Sequence, residues 1–217
     1  MTELIINKFD PRILEKKRQT GHAPIICIIA QRGSGKSTLI SDLLYHFKAV
    51  PACVVFSGTE ESNGFYSKHI HEMCIYHKYE PTVLENILKN QMKVVKSLVD
   101  KGLDPKKNPE KFADKGVTII MDDLAYDKKM MKDETLKKIY YAGRHTFLNL
   151  ICALQFVTDI GPSFRSNIDY VFVFKENKKD NIDKMYKYFF GGMFNNVNDF
   201  KKVLNACTND YQCLVLD

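Results

Sequence analysis

The chain has 217 residues, of which 45% are hydrophobic, 27% charged and 12% aromatic, a composition that excludes a disordered chain. Six cysteines without a CxxC pair exclude a small disulfide scaffold, and a net charge of +6 favours a polyanionic partner. No apolar stretch reaches the ~20 residues of a membrane-spanning helix, and no secretory signal is visible. The sequence therefore predicts a soluble, intracellular protein that is not secreted.

Residues 1–23 are charged and lack a strong hydrophobic period, which predicts an N-terminal arm or peripheral helix. Residues 24–217 are predicted to form a single domain in which strands alternate with helices. The predicted strands are Ile25–Ala30, Ala52–Ser57, Val117–Asp122, Asn149–Leu154, Tyr170–Phe174 and Gln212–Leu216. The predicted helices are Thr38–Phe47, Gly64–His77, Thr82–Lys101, Asp133–Gly143, Asn181–Phe190 and Val197–Cys207, with an exposed loop at Lys101–Lys115. This order predicts an α/β domain with a mainly parallel central β-sheet flanked by helices, in which ligands bind beyond the carboxyl ends of the strands.

A glycine-containing loop follows the first predicted strand. It fits the phosphate-binding pattern G-x-x-x-x-G-K-[ST] at every position except the first, where Ala30 replaces glycine. Gly33 and Gly35 allow backbone amides to turn inward onto an anion, while Lys36 can reach the β- and γ-phosphates and the Ser37 hydroxyl can coordinate Mg²⁺. The residues predicted to bind ATP are Ala30, Gln31, Arg32, Gly33, Ser34, Gly35, Lys36, Ser37 and Thr38.

The strand Val117–Asp122 ends in two consecutive acids, which is the Walker B pattern. Asp122 is predicted to hold Mg²⁺ through water, and Asp123 to activate the attacking water. Asp123 is one methylene shorter than the glutamate usual at this position. The strand Ala52–Ser57 lies between the two motifs in sequence and favours the RecA-like, additional-strand type of P-loop NTPase.

Gln155 follows the fourth predicted strand. A polar side chain at such a strand end can orient water or sense hydrolysis beside the γ-phosphate, although an amide that merely ends a strand would look the same. Arg144 and Arg165 are the only arginines after the phosphate-binding loop. Each is a candidate for an arginine finger or sensor, or for a surface ion pair.

Two further patterns leave their interpretation open. His71, Cys74 and His77 fall along one side of a predicted helix, where they could hold zinc or belong to an ordinary amphipathic face. Four lysine pairs could line a nucleic-acid path or simply face solvent. These pairs are Lys106-Lys107, Lys128-Lys129, Lys137-Lys138 and Lys178-Lys179.

The segment Gly143–Gln155, with Gly-Arg-His at its start, and the segment Arg165–Phe172 add a more specific signal to the phosphate-binding loop and Asp122-Asp123. Together they resemble the genome-packaging ATPases of large double-stranded DNA viruses and virophages, in the FtsK/HerA superfamily of DNA pumps. The resemblance covers most of residues 24–217.

This resemblance implies a motor that hydrolyses ATP to push double-stranded DNA into a preformed capsid. It implies a homo-oligomeric ring, a pentamer or hexamer, that meets a capsid or portal-vertex protein in the host cytoplasm at viral assembly sites or in the virion. In that role Lys36 and Ser37 bind phosphate and Mg²⁺, Asp122 holds the metal and Asp123 is the base. Gln155 is the sensor, and Arg144 and Arg165 are the arginine-finger candidates.

Two alternatives remain at this point. A nucleotide or small-molecule kinase of this size usually carries an arginine-rich lid, whereas residues 166–217 contain no arginine. An ATP-binding switch or scaffold with little turnover is compatible with the shortened acid at Asp123.

Overall fold

The structure, a computed structural model, describes residues 5–47, 52–124 and 130–217. Within these residues the strands form one sheet in the order β3-β2-β4-β5-β1-β6-β7. The strands are β1 (Ile25–Ile29), β2 (Ala52–Ser57), β3 (Ile75–Tyr76), β4 (Val117–Asp122), β5 (Leu148–Leu154), β6 (Tyr170–Val173) and β7 (Leu214–Leu216). All neighbouring strands are parallel except β6 and β7, which pair antiparallel. The predicted α/β fold with a mainly parallel sheet is confirmed.

Helices cover both faces of this sheet. They are α1 (Arg12–Gln19), α2 (Lys36–His46), α3 (Glu60–Asn63), α4 (Pro81–Asp100), α5 (Pro109–Ala113), α6 (Glu134–Ala142), α7 (Pro162–Arg165), α8 (Lys179–Met185) and α9 (Val197–Cys207). Buried side chains of α1 and α2 join the core on one face, and those of α4, α6, α7, α8 and α9 join the core on the other. No helix in the described part of the chain is both long and apolar enough to cross a membrane.

The central strand β1 shows why its sequence is apolar throughout. Cys27 and Ile29 pack into the core on one face of the sheet, while Ile26 and Ile28 pack into the core on the other. Successive side chains of a strand point to opposite faces, so a strand covered on both faces needs apolar residues at every position. The strand is therefore predictable from its sequence, but its neighbours in the sheet are not.

The additional strand lies in a different place from the one the sequence indicated. β5 pairs with β1 on one edge and with β4 on the other, so it separates the strand before the phosphate-binding loop from the strand that ends in Asp122. The segment Ala52–Ser57, on which that prediction rested, forms β2 on the far side of β4. Order along the chain does not give order across a parallel sheet, because each crossover can pass over several strands.

The predicted helix at Gly64–His77 is wrong. The segment forms two short 3₁₀ turns and β3, because local hydrogen bonds replace the helical ones. The Glu60 carboxylate accepts the backbone N–H groups of Tyr66 and Ser67 at 2.9 and 2.8 Å. His71 Nδ1 accepts the N–H of Met73 at 3.2 Å, which caps the second turn.

The zinc interpretation of His71, Cys74 and His77 loses its helical face with that helix. No three His, Cys, Asp or Glu side chains cluster as metal ligands within residues 5–47, 52–124 and 130–217. His71 instead serves as the cap of a 3₁₀ turn.

Two other segments differ in detail from their predictions. The predicted loop at Lys101–Lys115 contains the short helix α5, whose Phe112 stacks on Phe147 with ring centroids 5.4 Å apart. The predicted helix at Asn181–Phe190 consists of α8 followed by a π-helical turn at Tyr186–Phe190. The stacked Phe112 and Phe147 rings anchor α5 beside β5.

Candidate active site

The carboxyl ends of β1, β4 and β5 meet at one edge of the sheet, and the predicted site lies there. After β1, Gly33 and Gly35 adopt positive φ angles of 78° and 102°, which side chains with a Cβ rarely adopt. α2 begins at Lys36 directly after this turn. Its first backbone amides are therefore directed towards the loop, as anion binding requires.

Lys36 joins the phosphate-binding loop to the two acids at the end of β4. Its Nζ lies 2.7 Å from Asp122 Oδ1 and 2.6 Å from Asp123 Oδ1. The Lys36 side chain is 11% exposed and that of Asp122 is 5% exposed, so the ion pairs are shielded from water. Burial raises the pKa of Asp122 above its ordinary value, and the charge of Lys36 opposes this rise.

Gln155 lies beside the second acid. Its Nε2 donates a hydrogen bond to Asp123 Oδ1 at 3.3 Å. Asp123 adopts a φ of 52°, a left-handed conformation that is uncommon outside glycine and that turns the chain sharply after β4. The three segments singled out in the sequence thus meet through Lys36, Asp123 and Gln155.

A buried tyrosine that no motif indicated holds the first acid from the other side. The Tyr66 hydroxyl donates to Asp122 Oδ2 at 2.9 Å, and both side chains are buried. Burial, followed by the charge of Asp122, raises the pKa of Tyr66 far above its ordinary value, so the hydroxyl stays protonated and donates. Tyr66 is itself fixed through its backbone N–H by the buried Glu60. A tyrosine nine residues after a strand carries no pattern that sequence analysis could use.

Another buried acid, Glu176, anchors the phosphate-binding loop itself. The Gln31 Nε2 and Asn181 Nδ2 amides donate to its two carboxylate oxygens. The backbone N–H groups of Asn177 and Lys178 donate to Oε1 at 2.8 Å each. Glu176 therefore ties the start of the loop to the segment that follows β6, and this role too has no local sequence signature.

The site opens into one large cavity of about 2360 Å³. Its walls include the phosphate-binding loop, Asp123 and Gln155, together with residues 5–10 and the C-terminal segment 211–215. Among the predicted ATP-binding residues, those lining the cavity are Gln31, Arg32, Gly33, Gly35, Lys36, Ser37 and Thr38. Ala30 is buried at the end of β1, and Ser34 Oγ donates to Gln31 O at 2.7 Å within the loop.

The two arginine candidates lie away from this edge. Arg144 belongs to the 3₁₀ turn Gly143–Thr146 just before β5, so it lies at the amino end of the strand whose carboxyl end carries Gln155. Arg165 precedes β6, where its Nη1 donates to Ile160 O at 2.7 Å and its guanidinium lies 3.8 Å from the Tyr188 ring centroid. Their assignment as fingers concerns a neighbouring subunit and stays a prediction.

The lysine pairs are dispersed. Lys106 and Lys107 are exposed beyond α4, Lys137-Lys138 lie on α6, and Lys178-Lys179 lie at the start of α8. Lys137 pairs with Glu134 at 2.6 Å. Lys128-Lys129 fall outside the described residues. Contact of these lysines with DNA remains a prediction.

A family model described as "Poxvirus A32 protein" matches residues 14–209 of the chain. The chain belongs to this family. The match includes the phosphate-binding loop, the acids after β4, Gln155 and both arginine candidates. With it, the resemblance to viral genome-packaging ATPases inferred from the sequence is confirmed.

Two relatives are viral proteins. Protein L437 of Acanthamoeba polyphaga mimivirus is 34% identical over 194 residues, which cover 89% of this chain and 66% of that protein. Protein 015R of frog virus 3 is 31% identical over 193 residues, which cover 88% of this chain and 56% of that protein. The chain thus spans between about half and two thirds of the length of these relatives.

A solved structure supports the fold. The genome packaging NTPase B204 from Sulfolobus turreted icosahedral virus 2, in complex with ATPγS, matches with a TM-score of 0.54 at 20% sequence identity. The match covers 89% of this chain and 91% of that chain. The P-loop NTPase fold predicted from the sequence is therefore confirmed.

Proposed function

We propose that the chain is an ATP-hydrolysing motor that translocates double-stranded DNA into a viral capsid during virion assembly. The observation that carries the proposal is the contact of Lys36 with both Asp122 and Asp123 beside Gln155. These groups suit the transfer of a phosphoryl group to water. Family membership supports the viral role, and the NTPase B204, described as a genome packaging protein, has the same fold.

In this proposal the phosphate-binding loop holds the triphosphate of ATP. The positive φ angles of Gly33 and Gly35 leave the backbone amides facing the phosphates, and the N-terminus of α2 adds its dipole. Lys36 exchanges its carboxylate partners for the β- and γ-phosphates. Its present contacts keep the ammonium group in place at the carboxyl edge of the sheet.

The residues present fit a magnesium ion. The Ser37 hydroxyl and the Asp122 carboxylate are hard oxygen donors, the kind that Mg²⁺ prefers, and both lie at the carboxyl edge of β1 and β4. When bound, Mg²⁺ neutralises charge on the phosphate oxygens. Tyr66 keeps Asp122 oriented by donating to its Oδ2.

Asp123 is the proposed general base and Gln155 the group that orients the attacking water. Asp123 is 18% exposed and opens to the cavity, whereas Asp122 is buried. The two adjacent acids thus have different surroundings, and the more accessible one suits proton abstraction. The hydrogen bond from Gln155 links the end of β5 to this base.

The proposal includes partners. Double-stranded DNA suits the net charge of +6, and a homo-oligomeric ring of five or six copies would let an arginine of one subunit reach the ATP of the next. The ring would meet a capsid or portal-vertex protein in the host cytoplasm, where virions assemble, or within the virion.

The test is steady-state phosphate release from ATP with and without duplex DNA. The wild-type chain is expected to turn over ATP in a Mg²⁺-dependent manner and faster with DNA. Lys36→Ala should lower the rate at least ~100-fold, because a charge that stabilises the transferring phosphoryl group is removed. Lys89→Ala on α4, which removes a surface ion pair with Glu85, is the control and should retain the rate. Absent turnover, or equal turnover in Lys36→Ala, would contradict an ATPase.

A further inference from the structure

The cavity continues past the phosphate-binding loop, away from Asp122 and Asp123 and towards β6 and β7. β1 lies between β5 and β6, so Asp122, Asp123 and Gln155 stand on its β4–β5 side. On its β6–β7 side the cavity is walled by the C-terminal segment. The residues that line it there include Phe174, Tyr211, Gln212, Cys213 and Leu214.

This arrangement fixes the direction in which a bound nucleotide runs. The γ-phosphate lies towards the acids and Gln155, because the proposed chemistry takes place there. The base lies at the other end of the nucleotide and therefore extends towards β6 and β7. The wall on that side is where a base meets protein.

Tyr211 has a position that packing alone does not explain. It is 77% exposed, although tyrosine is a large side chain, and it lines the cavity. Its φ is 62° and that of the preceding Asp210 is 49°; these are the two central residues of a tight turn that the Gln212 N–H closes on Asn209 O at 2.9 Å. This turn holds the Tyr211 side chain at the wall of the cavity.

The Tyr211 side chain stands directly against the phosphate-binding loop. A Cβ placed on Gly35 would lie 3.5 Å from both Cβ and Cδ1 of Tyr211 and 3.3 Å from Cε1 of Phe174. One edge of the tyrosine thus lies beside the loop, and most of its surface is exposed. A planar group next to the phosphate-binding loop can lie on such a ring.

We infer that Tyr211 is the platform on which the base of the bound nucleotide stacks. The assignment rests on the proposed function, since it presumes that the loop holds a nucleoside triphosphate. Stacking of a base on an aromatic ring contributes substantially to affinity and uses the π face that every base has. The left-handed turn at Asp210-Tyr211 presents the ring to the cavity.

The test compares the binding of two ligands by calorimetry, Mg·ATP and inorganic tripolyphosphate, which has the phosphates but no base. Tyr211→Ala is expected to weaken ATP binding about 5- to 100-fold and to leave tripolyphosphate binding unchanged. Tyr211→Phe keeps the ring and should bind ATP as the wild type does. Because the ring is exposed, the melting temperature of Tyr211→Ala should stay within about 2 °C of wild type.

Tyr141→Ala on α6 is the matched control, since Tyr141 is 52% exposed and does not line the cavity. It should bind both ligands normally. Equal ATP affinity of Tyr211→Ala and wild type, or equal weakening of both ligands, would overturn the base platform while leaving the ATPase intact. If the wild type binds neither ligand, the proposed function falls together with this inference.

Discussion

The residues of the site divide into those that a motif indicates and those that hold them in place. Lys36 and Asp122 come from two motifs, and their contact at 2.7 Å joins them. Asp122 is oriented by Tyr66, whose hydroxyl stays protonated because burial raises its pKa. Because Tyr66 fixes one oxygen of the buried Asp122 carboxylate, the other oxygen also points in one direction.

Removing the Tyr66 hydroxyl tests this arrangement. Tyr66→Phe should weaken Mn²⁺ binding, used as a spectroscopic substitute for Mg²⁺ in the presence of ATP, by about 10- to 100-fold. It should also lower the free energy of unfolding by about 1.5–3 kcal/mol, because the buried hydrogen bond has a charged acceptor. Mn²⁺ affinity is measured by electron paramagnetic resonance, and stability by urea unfolding.

Tyr170→Phe is the control for Tyr66→Phe. Tyr170 is fully buried, but it is the first residue of β6 and therefore lies at the amino ends of the parallel strands, away from the site. Its loss of a hydroxyl should leave Mn²⁺ affinity unchanged. If Tyr66→Phe binds Mn²⁺ as tightly as wild type and loses only stability, Tyr66 supports the fold and does not position Asp122.

At the scale of elements, β5 connects two of the proposed catalytic residues. Gln155 follows its carboxyl end, and Arg144 precedes its amino end. Its 7 residues span about 20 Å, farther than an arginine side chain can reach, so Arg144 cannot contact the ATP of its own chain. Within the described residues Arg144 is exposed and makes no side-chain hydrogen bond or ion pair, whereas Arg165 is held by Ile160 and Tyr188.

This geometry favours Arg144 as the residue that acts on a neighbouring subunit. Arg144→Ala should lower ATP turnover by about 10³-fold or more while ATP binding is retained. An equal mixture with Lys36→Ala should regain up to about a quarter of wild-type turnover, because a quarter of the interfaces then pair an intact loop with an intact arginine. The measurement is phosphate release at a protein concentration that allows assembly.

Arg165→Ala serves as the comparison and should lose stability, since it removes a hydrogen bond to Ile160 O and the guanidinium that lies on the Tyr188 ring. Its turnover per folded chain should remain. Mixtures that never exceed the sum of the two single variants would rule out Arg144 as a residue shared between subunits.

The elements that the sequence predicts well are those with one dominant physical signal. β1 and β5 are buried on both faces, so their apolar runs have few other interpretations. Asp133, at which the predicted helix begins, caps α6 by accepting the N–H of Leu136 at 2.8 Å. The helix prediction for Gly64–His77 was wrong because the apolar residues of this segment are spaced as in a helix. The hydrogen bonds of its backbone to Glu60, which replace the helical ones, leave no pattern in the sequence.

The residues of the site that belong to sequence motifs were predictable. Lys36, Asp122 and Gln155 follow strands, and parallel strands bring their carboxyl ends together. Tyr66 and Glu176 act from positions that only the folded chain brings near the site. Their contacts arise from tertiary structure, for which one sequence contains no local pattern.

At the scale of the whole molecule, one sheet carries the proposed ATP site on a single edge and leaves the rest of the surface for partners. The basic net charge supports duplex DNA as the proposed partner. ATP hydrolysis alone would fit many P-loop proteins. Movement along DNA is the property that distinguishes a packaging motor from them.

The most direct measurement of that property is displacement of a fluorescent third strand from a linear duplex that carries a triplex. We expect the wild-type chain to release the third strand with ATP and not with ATPγS, whereas Lys36→Ala releases none and Lys89→Ala behaves as wild type. Release would show that the chain moves along duplex DNA at the expense of ATP. Robust ATP hydrolysis without any release of the third strand would contradict the motor.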